Sequence, residues 1–407
     1  MVPPVNAQQK PLHQSEFVAI VAMLAATVAF SIDAMLPALP EIGAELTPDN
    51  LNRAQLIITS FVLGMGLGTF FTGPLADRFG RKPVIVVGAA LYVMATMAAF
   101  FSTTLETMFA SRMAMGLAAA APRVAAMALV RDVYSGREMA RIMSFVMLVF
   151  ALVPALAPSL GALIISIAGW RAIFVAFAIF ASLAALWLAL RQPETLPQDK
   201  RRPLSFINLY HVAVEVFSHP TVRLSIFVQT LGFGMLFSVL SSTQQVFDQT
   251  YDQGHSFHFW FGGIAILASS ASVINARLVG RLGMRKIIKA MFLAQILLSM
   301  TMIGIVALHL PNQIELLFYA LWTAAVFFQA GLTIGNLNAL ALEPMGHVAG
   351  SAASIITATS TVGAVIIAIP IGLRFDGTPL PLALGTCVCA VLAFWLTSLI
   401  RRESDED

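Results

Sequence analysis

Apolar residues come along this chain in runs of about 20, separated by short stretches that hold nearly all the charge. The runs are roughly Phe17–Leu39, Leu56–Thr72, Val84–Phe101, Met108–Val130, Met139–Ile167, Ala172–Leu190, Leu224–Val246, Phe257–Val279, Ile287–Leu308, Leu316–Leu342, Ala352–Leu373 and Leu380–Ile400. A run of that length, wound as a helix, crosses the ~30 Å hydrocarbon layer of a bilayer. Lipid offers no partner to an open backbone, so each run is read as a helix. The pattern predicts an all-α membrane protein with twelve transmembrane helices. Pro154, Pro158 and Gly161 fall inside the fifth run and predict a bend there.

Composition agrees. Of 407 residues 58% are hydrophobic and 11% charged, with a mean hydropathy of +0.83. A water-soluble domain carries roughly 25% charged residues. The net charge of +3 says little about nucleic acid, and no nucleic-acid partner is expected. The distribution of charge says more. Most of the 24 lysines and arginines fall in loops two–three, four–five, six–seven and eight–nine and in the tails, Lys10, Arg202, Arg401 and Arg402 included. Only Arg53, Arg171 and Arg374 fall on the other side. Positive charge collects on the cytoplasmic face, so both termini are expected in the cytoplasm. The stretch before Phe17 is polar, and no cleaved signal peptide is expected. Cys387 and Cys389, two apart in the last run, point to different sides of a helix and suit neither a disulfide nor a metal site.

The loop after the second run reads Gly73-Pro-Leu-Ala-Asp77-Arg78-Phe-Gly80-Arg81-Lys82. Its glycines permit the positive φ that a tight turn needs. Asp77 is a natural partner for the three bases or for the positive end of a nearby helix. Taken alone, the loop is open between a functional latch and a basic turn that only sets topology. A related stretch, Asn275-Ala-Arg277-Leu-Val-Gly280-Arg281-Leu-Gly283-Met-Arg285-Lys286, follows the eighth run. Gly80 matches Gly283 and Asp77 matches Gly280, so the second copy lacks the acid. The longest connection, about Arg191 to Arg223, holds three prolines and splits the chain near its middle. Two halves, 1–191 and 223–407, joined by a linker 192–222, are therefore expected, with a site between them at mid-membrane. Leu204–Phe217 is either a plain linker or a helix lying on the membrane surface.

Charges inside apolar runs mark function by default, because hydrocarbon makes them costly. Asp33 lies six residues before Leu39, about 9 Å from the outer end of the first span. Arg112 stands at a similar depth in the fourth span, so the two are expected to pair. A nearby guanidinium favours the ionised acid and burial favours the protonated one, so such an acid can load and release a proton as the protein moves. The other role open to Asp33 is to cap the kink before Pro37. Arg123 shares the face of Arg112, about 20° away around the helix, and either binds an anion or ties a helix end. Gln229, Gln329, Thr333 and Asn336 are candidates to line a substrate cavity, with interhelical hydrogen bonding as the alternative role.

Several of these stretches resemble one family. The loop Gly73–Lys82 matches the signature loop between spans two and three of the major facilitator superfamily. Ser31-Ile-Asp33-Ala-Met-Leu36-Pro37, Arg112-Met-Ala-Met-Gly116, Val130-Arg131-Asp132 and Pro154-Ala-Leu-Ala-Pro158-Ser-Leu-Gly161 resemble the twelve-span drug:proton antiporters, and most the bicyclomycin-resistance (Bcr/CflA) branch. The resemblance implies two pseudo-symmetric six-helix bundles. It implies that Asp33 couples protons, that Arg112 tunes it, and that Gly73, Asp77, Arg78, Gly80, Arg81 and Arg131 form a cytoplasmic latch. Pro154, Pro158 and Gly161 would lie where the halves meet. Met115 stands where the family often has Gln.

The function expected is proton-driven efflux of small apolar or cationic compounds across a bacterial-type inner membrane, by a monomer whose partners are substrate, protons and lipid. A carrier dedicated to one metabolite is the alternative. No phosphate-binding glycine loop of the ATPase type occurs, no helical nucleophile–base pair argues for an enzyme, and no cofactor or metal is implied.

Overall fold

The computed structural model describes residues 12–201, 203 and 206–400. Lys10, Arg202, Leu204, Arg401 and Arg402 lie outside the described residues. The described chain is helical throughout, and its membrane-length helices are α1 (Gln14–Asp33), α3 (Leu56–Phe79), α4 (Arg81–Phe100), α5 (Leu105–Val133), α6 (Gly136–Ala168), α7 (Ala172–Arg191), α9 (Pro220–Gln245), α10 (Phe257–Leu282), α11 (Met284–Ala307), α12 (Asn312–Leu342), α13 (Ala349–Gly372) and α14 (Leu380–Ser398). Two shorter helices complete the set, α2 (Leu39–Leu46) directly after α1 and α8 (Phe206–Ser218) in the connection between halves. The linker segment is thus helical rather than plain coil.

The helices form two bundles. In the first, α3 packs along α5, α4 against α5 and α7, and α1 against α6; in the second, α9 meets α12, α13 and α14, and α11 meets α12 and α14. Two helix pairs join the bundles along their length, α3 with α13 and α6 with α10. The outside is apolar: Ile167, Phe259 and Trp395 are more than half exposed, as suits side chains that face lipid. No apolar driving force draws helices together in lipid, so close approach depends on small residues. Gly64 and Gly116 meet where α3 crosses α5. A Cβ on Gly64 would overlap the Met113 carbonyl, and one on Gly116 would overlap the Phe61 carbonyl.

The first span differs from its expected form. It does not end near Leu39 but breaks after Asp33, passes through a 3-10 turn (Leu36–Ala38) and resumes as α2. Pro37 and Pro40 cause the break, because each lacks the N–H that would bond the carbonyl four residues earlier, that of Asp33 and that of Leu36. Asp33 therefore sits at a discontinuity well inside the span. α6 crosses this point, and a Cβ on Gly161 would overlap the Ala34 carbonyl. α6 itself is one continuous helix with Pro154 and Pro158 inside it.

The internal repeat is visible in backbone conformation. Gly80 (φ 100, ψ 159) ends α3 and opens α4, and Gly283 (φ 77, ψ 155) does the same between α10 and α11. Both lie in a region that side-chain-bearing residues avoid. Gly116→Val should lower the thermal unfolding midpoint of the purified protein, since overpacking a crossing costs about 1–3 kcal/mol. Gly335→Ala, where an added Cβ meets nothing within 4 Å, should leave the midpoint unchanged.

Candidate functional site

The first bundle buries a polar centre around Arg112. Its Nε donates to the Ile57 carbonyl of α3 at 3.2 Å, and its Nη2 donates to the Ser31 carbonyl of α1 at 3.0 Å. The guanidinium also stands 4.6 Å from the centroid of the Phe61 ring. Ser31 Oγ hydrogen-bonds Tyr92 OH of α4. One arginine thereby ties α5 to α1 and α3, and its charge faces backbone dipoles and a ring face. That corrects the expected ion pair. Arg112 makes no salt bridge with Asp33: its guanidinium is taken up by the Ile57 and Ser31 carbonyls instead. Asp33 is 5% exposed and forms no hydrogen bond or ion pair with any described residue. Arg123, half-buried on the same helix as Arg112, reaches only the Met65 sulfur, at 3.5 Å.

At the arginine-rich end, Arg81 bridges Asp77 at 2.6 Å and Asp132 at 3.0 Å. Sequence reasoning missed the residue that completes this group. Glu194, in the connection after α7, accepts from the backbone N–H of Arg81 and of Lys82, both at 3.0 Å. It caps α4, whose first amides otherwise lack partners. The carboxylate also lies against Gly80, where a Cβ would come within 2.5 Å of it. Thr195 hydrogen-bonds Asp132 at 3.0 Å. Glu194 is the first acid after the sixth apolar run, and that position was its only signal in the sequence. A cavity of about 320 Å³ opens beside the cluster, lined by Gly73, Asp77, Arg81, Arg131 and Asp132 of the first bundle and by Gly350, Ser351 and Ser354 of α13. Arg78 is exposed and stands apart from it.

The opposite end is closed by neutral groups. Gln55 Nε2 donates to Gln245 Oε1 at 2.6 Å and to the Gly372 carbonyl at 3.2 Å, while its own oxygen accepts from Ser242 at 2.7 Å. Asn52 donates to the Phe375 carbonyl at 2.7 Å and accepts from Gln245. Each of these bonds joins the first bundle to the second. At the two ends of the broken first span, Glu16 holds Arg191 and Trp187, and Glu45 holds Arg171 and Trp170.

Of the polar candidates in the second bundle, Gln229 and Asn336 tie helices together, whereas Gln329 and Thr333 bond each other within α12. Gln229 donates to Asn338 at 3.1 Å, Asn336 to Asn275 at 2.8 Å, and Gln329 to Thr333 at 2.7 Å. All four are buried, and none lines the cavity at the arginine-rich end.

Two pseudo-repeated bundles, an acid at a helix break and a charged loop after the second span are now in hand, and the model of the Major Facilitator Superfamily matches residues 19–368. The chain belongs to that superfamily. It is a multi-pass membrane transporter, not an enzyme. A bicyclomycin resistance protein homolog of Haemophilus influenzae is 29% identical over 394 residues, covering 94% of this chain and 96% of that one. Multidrug resistance protein MdtL of Escherichia coli is 37% identical over 161 residues, covering 39% of this chain and 40% of that one. Among solved structures, a D-xylose-proton symporter superposes with a TM-score of 0.76 at 15% identity, covering 97% of this chain and 99% of that one. That likeness concerns the fold.

Removing the new cap is measurable. Glu194→Ala leaves the first amides of α4 without their acceptor and should destabilise the protein by about 1 kcal/mol. Thermal unfolding in detergent reads this as a lower midpoint, whereas Glu194→Gln, which keeps an acceptor, should lose less.

Proposed function

We propose that this transporter exports small apolar or cationic compounds in exchange for protons, with Asp33 as the acid that carries the proton. The observation that supports it most is the state of Asp33, buried just before the break in the first span with no partner among the described residues. An unpaired carboxylate buried among helices is costly as an anion, and taking a proton removes the charge. Arg112 holds the α1 backbone two residues earlier, at Ser31. A rearrangement of α1 that frees the guanidinium from that carbonyl brings a positive charge toward the acid and favours proton loss. Gly161, packed on Ala34, places the proline-bearing stretch of α6 over the same break.

Alternating access then needs a contact at each end that can open. Asp77, Arg81, Asp132 and Arg131, with Gly73 and Gly80 shaping the turn, serve as the latch at the arginine-rich end, which the charge bias assigns to the cytoplasm together with both termini. The glutamine contacts serve at the outer end. The names of the bicyclomycin-resistance and multidrug-resistance relatives support export of several compounds across an inner membrane. Nothing in the mechanism asks for more than a monomer.

Inverted vesicles with an imposed proton gradient test this. Wild-type vesicles should accumulate ethidium, tetraphenylphosphonium or chloramphenicol. Asp33→Asn, present in the membrane at equal amount, should lower gradient-driven accumulation at least tenfold. Undiminished accumulation by that variant would remove Asp33 from the mechanism, and accumulation of none of the three compounds by the wild type would argue for a narrower substrate.

A further inference from the structure

A second cavity, of about 240 Å³, lies at the end opposite the latch, where α2 and the turn before α3 face the last turns of α9. Its walls come from both bundles. Leu39 and Leu51 make one side, and Gln55, Gln244, Gln245 and Asp248 supply polar groups to it. Two of these groups are not used by the protein. Gln244 is 3% exposed, and its side chain makes no hydrogen bond to any described residue. The amides on either side of the interface, Gln55 and Gln245, are engaged with each other. Gln244 lines the cavity with its hydrogen-bonding capacity unused by the described residues, so it is free to bond a guest there. Asp248 likewise forms no hydrogen bond or ion pair through its carboxylate. Its position is defined, because the carboxyl occupies the space that a Cβ on Gly254 would need. The titratable groups within electrostatic reach of it are Asp252 and His255.

We propose that this cavity binds a small amphiphilic amine. The ammonium group meets the Asp248 carboxylate, a second polar group of the ligand meets the Gln244 amide, and an apolar body lies against Leu39 and Leu51. A charge-assisted bond and a satisfied buried amide give the site its polar selectivity. The site is distinct from the centre around Asp33 and Arg112, with which it shares no residue. It also has a consequence for the cycle. A ligand that contacts both bundles at this end binds only while the end is closed, and it therefore holds that conformation. An amine in this cavity slows transport. That consequence rests on the exporter reading above, whereas the binding itself does not.

Calorimetry on the full-length protein in detergent, without any proton gradient, tests the binding with phenethylamine as the probe. The wild type should bind it. Asp248→Asn and Gln244→Leu should each weaken binding at least tenfold, and Asp33→Asn should leave it unchanged. Leu39→Phe, which fills the cavity from its apolar side, should abolish binding, and it decides the matter if Gln244→Leu is poorly folded. Absence of binding to the wild type overturns the proposal. So does binding that survives Asp248→Asn and Leu39→Phe but is lost in Asp33→Asn, since that places the amine at the central site. Because the readout needs no transport, failure here and failure of proton coupling are separate results.

Discussion

Hydrocarbon answers no polar group, so each charge kept inside the bundles has to be met by protein or carried as a neutral species. Arg112 and Asp33 show the two outcomes side by side. The guanidinium is met by the carbonyls of Ile57 and Ser31 and by the face of Phe61. The carboxyl is bonded by none of the described residues. Had the two paired, each would have relieved the other's loss of hydration. Pro37 and Pro40 break the first span just beyond the acid. Gly161 lets α6 pack onto that break, so the place where the helix is weakest is also where the proline-bearing helix of the same bundle bears on it.

The two ends of the molecule are held by different physics. At the arginine-rich end the contacts are ionic, part-exposed and centred on Arg81, with Glu194 from the connecting segment capping α4. Such contacts are individually weak and respond to salt. At the opposite end Gln55, Gln245, Asn52 and Ser242 form a buried set without net charge. Their bonds gain from the low local dielectric and are costly to break one at a time. One end thus carries a charged cluster within the first bundle, and the other a neutral set of contacts between the bundles. Only the first is sensitive to ionic strength.

Much of this was legible in the order of residues. Runs long enough to cross a bilayer located the spans, because length and apolarity are set by the membrane rather than by neighbouring helices. Gly80 and Gly283 announced matching turns, because only glycine is comfortable at their backbone angles. Asp77 and Arg81, four apart across the turn, were close enough in sequence to be paired by eye. What failed depended on distance in the chain. The expected Asp33–Arg112 pair came from depth alone, and depth does not say which way a side chain turns at a helix break. Glu194 and the Gln55–Gln245 contact join segments more than a hundred residues apart, and a lone glutamine near the end of a span carries no mark of its partner. Gln229, Gln329, Thr333 and Asn336 were read as cavity candidates from their polarity, but polarity serves interhelical bonding equally well, and that is the use made of Gln229 and Asn336.

The coupling role of Asp33 is tested most directly by counting protons rather than transported molecules. Purified protein in weakly buffered detergent, mixed with a compound that the vesicles export, should release about one proton per protein as the compound binds, in keeping with linkage between the two events. The Asp33→Asn protein should bind the compound and release none. Equal release from both proteins, or no release from the wild type while it binds, would contradict exchange of cargo for a proton at this carboxyl.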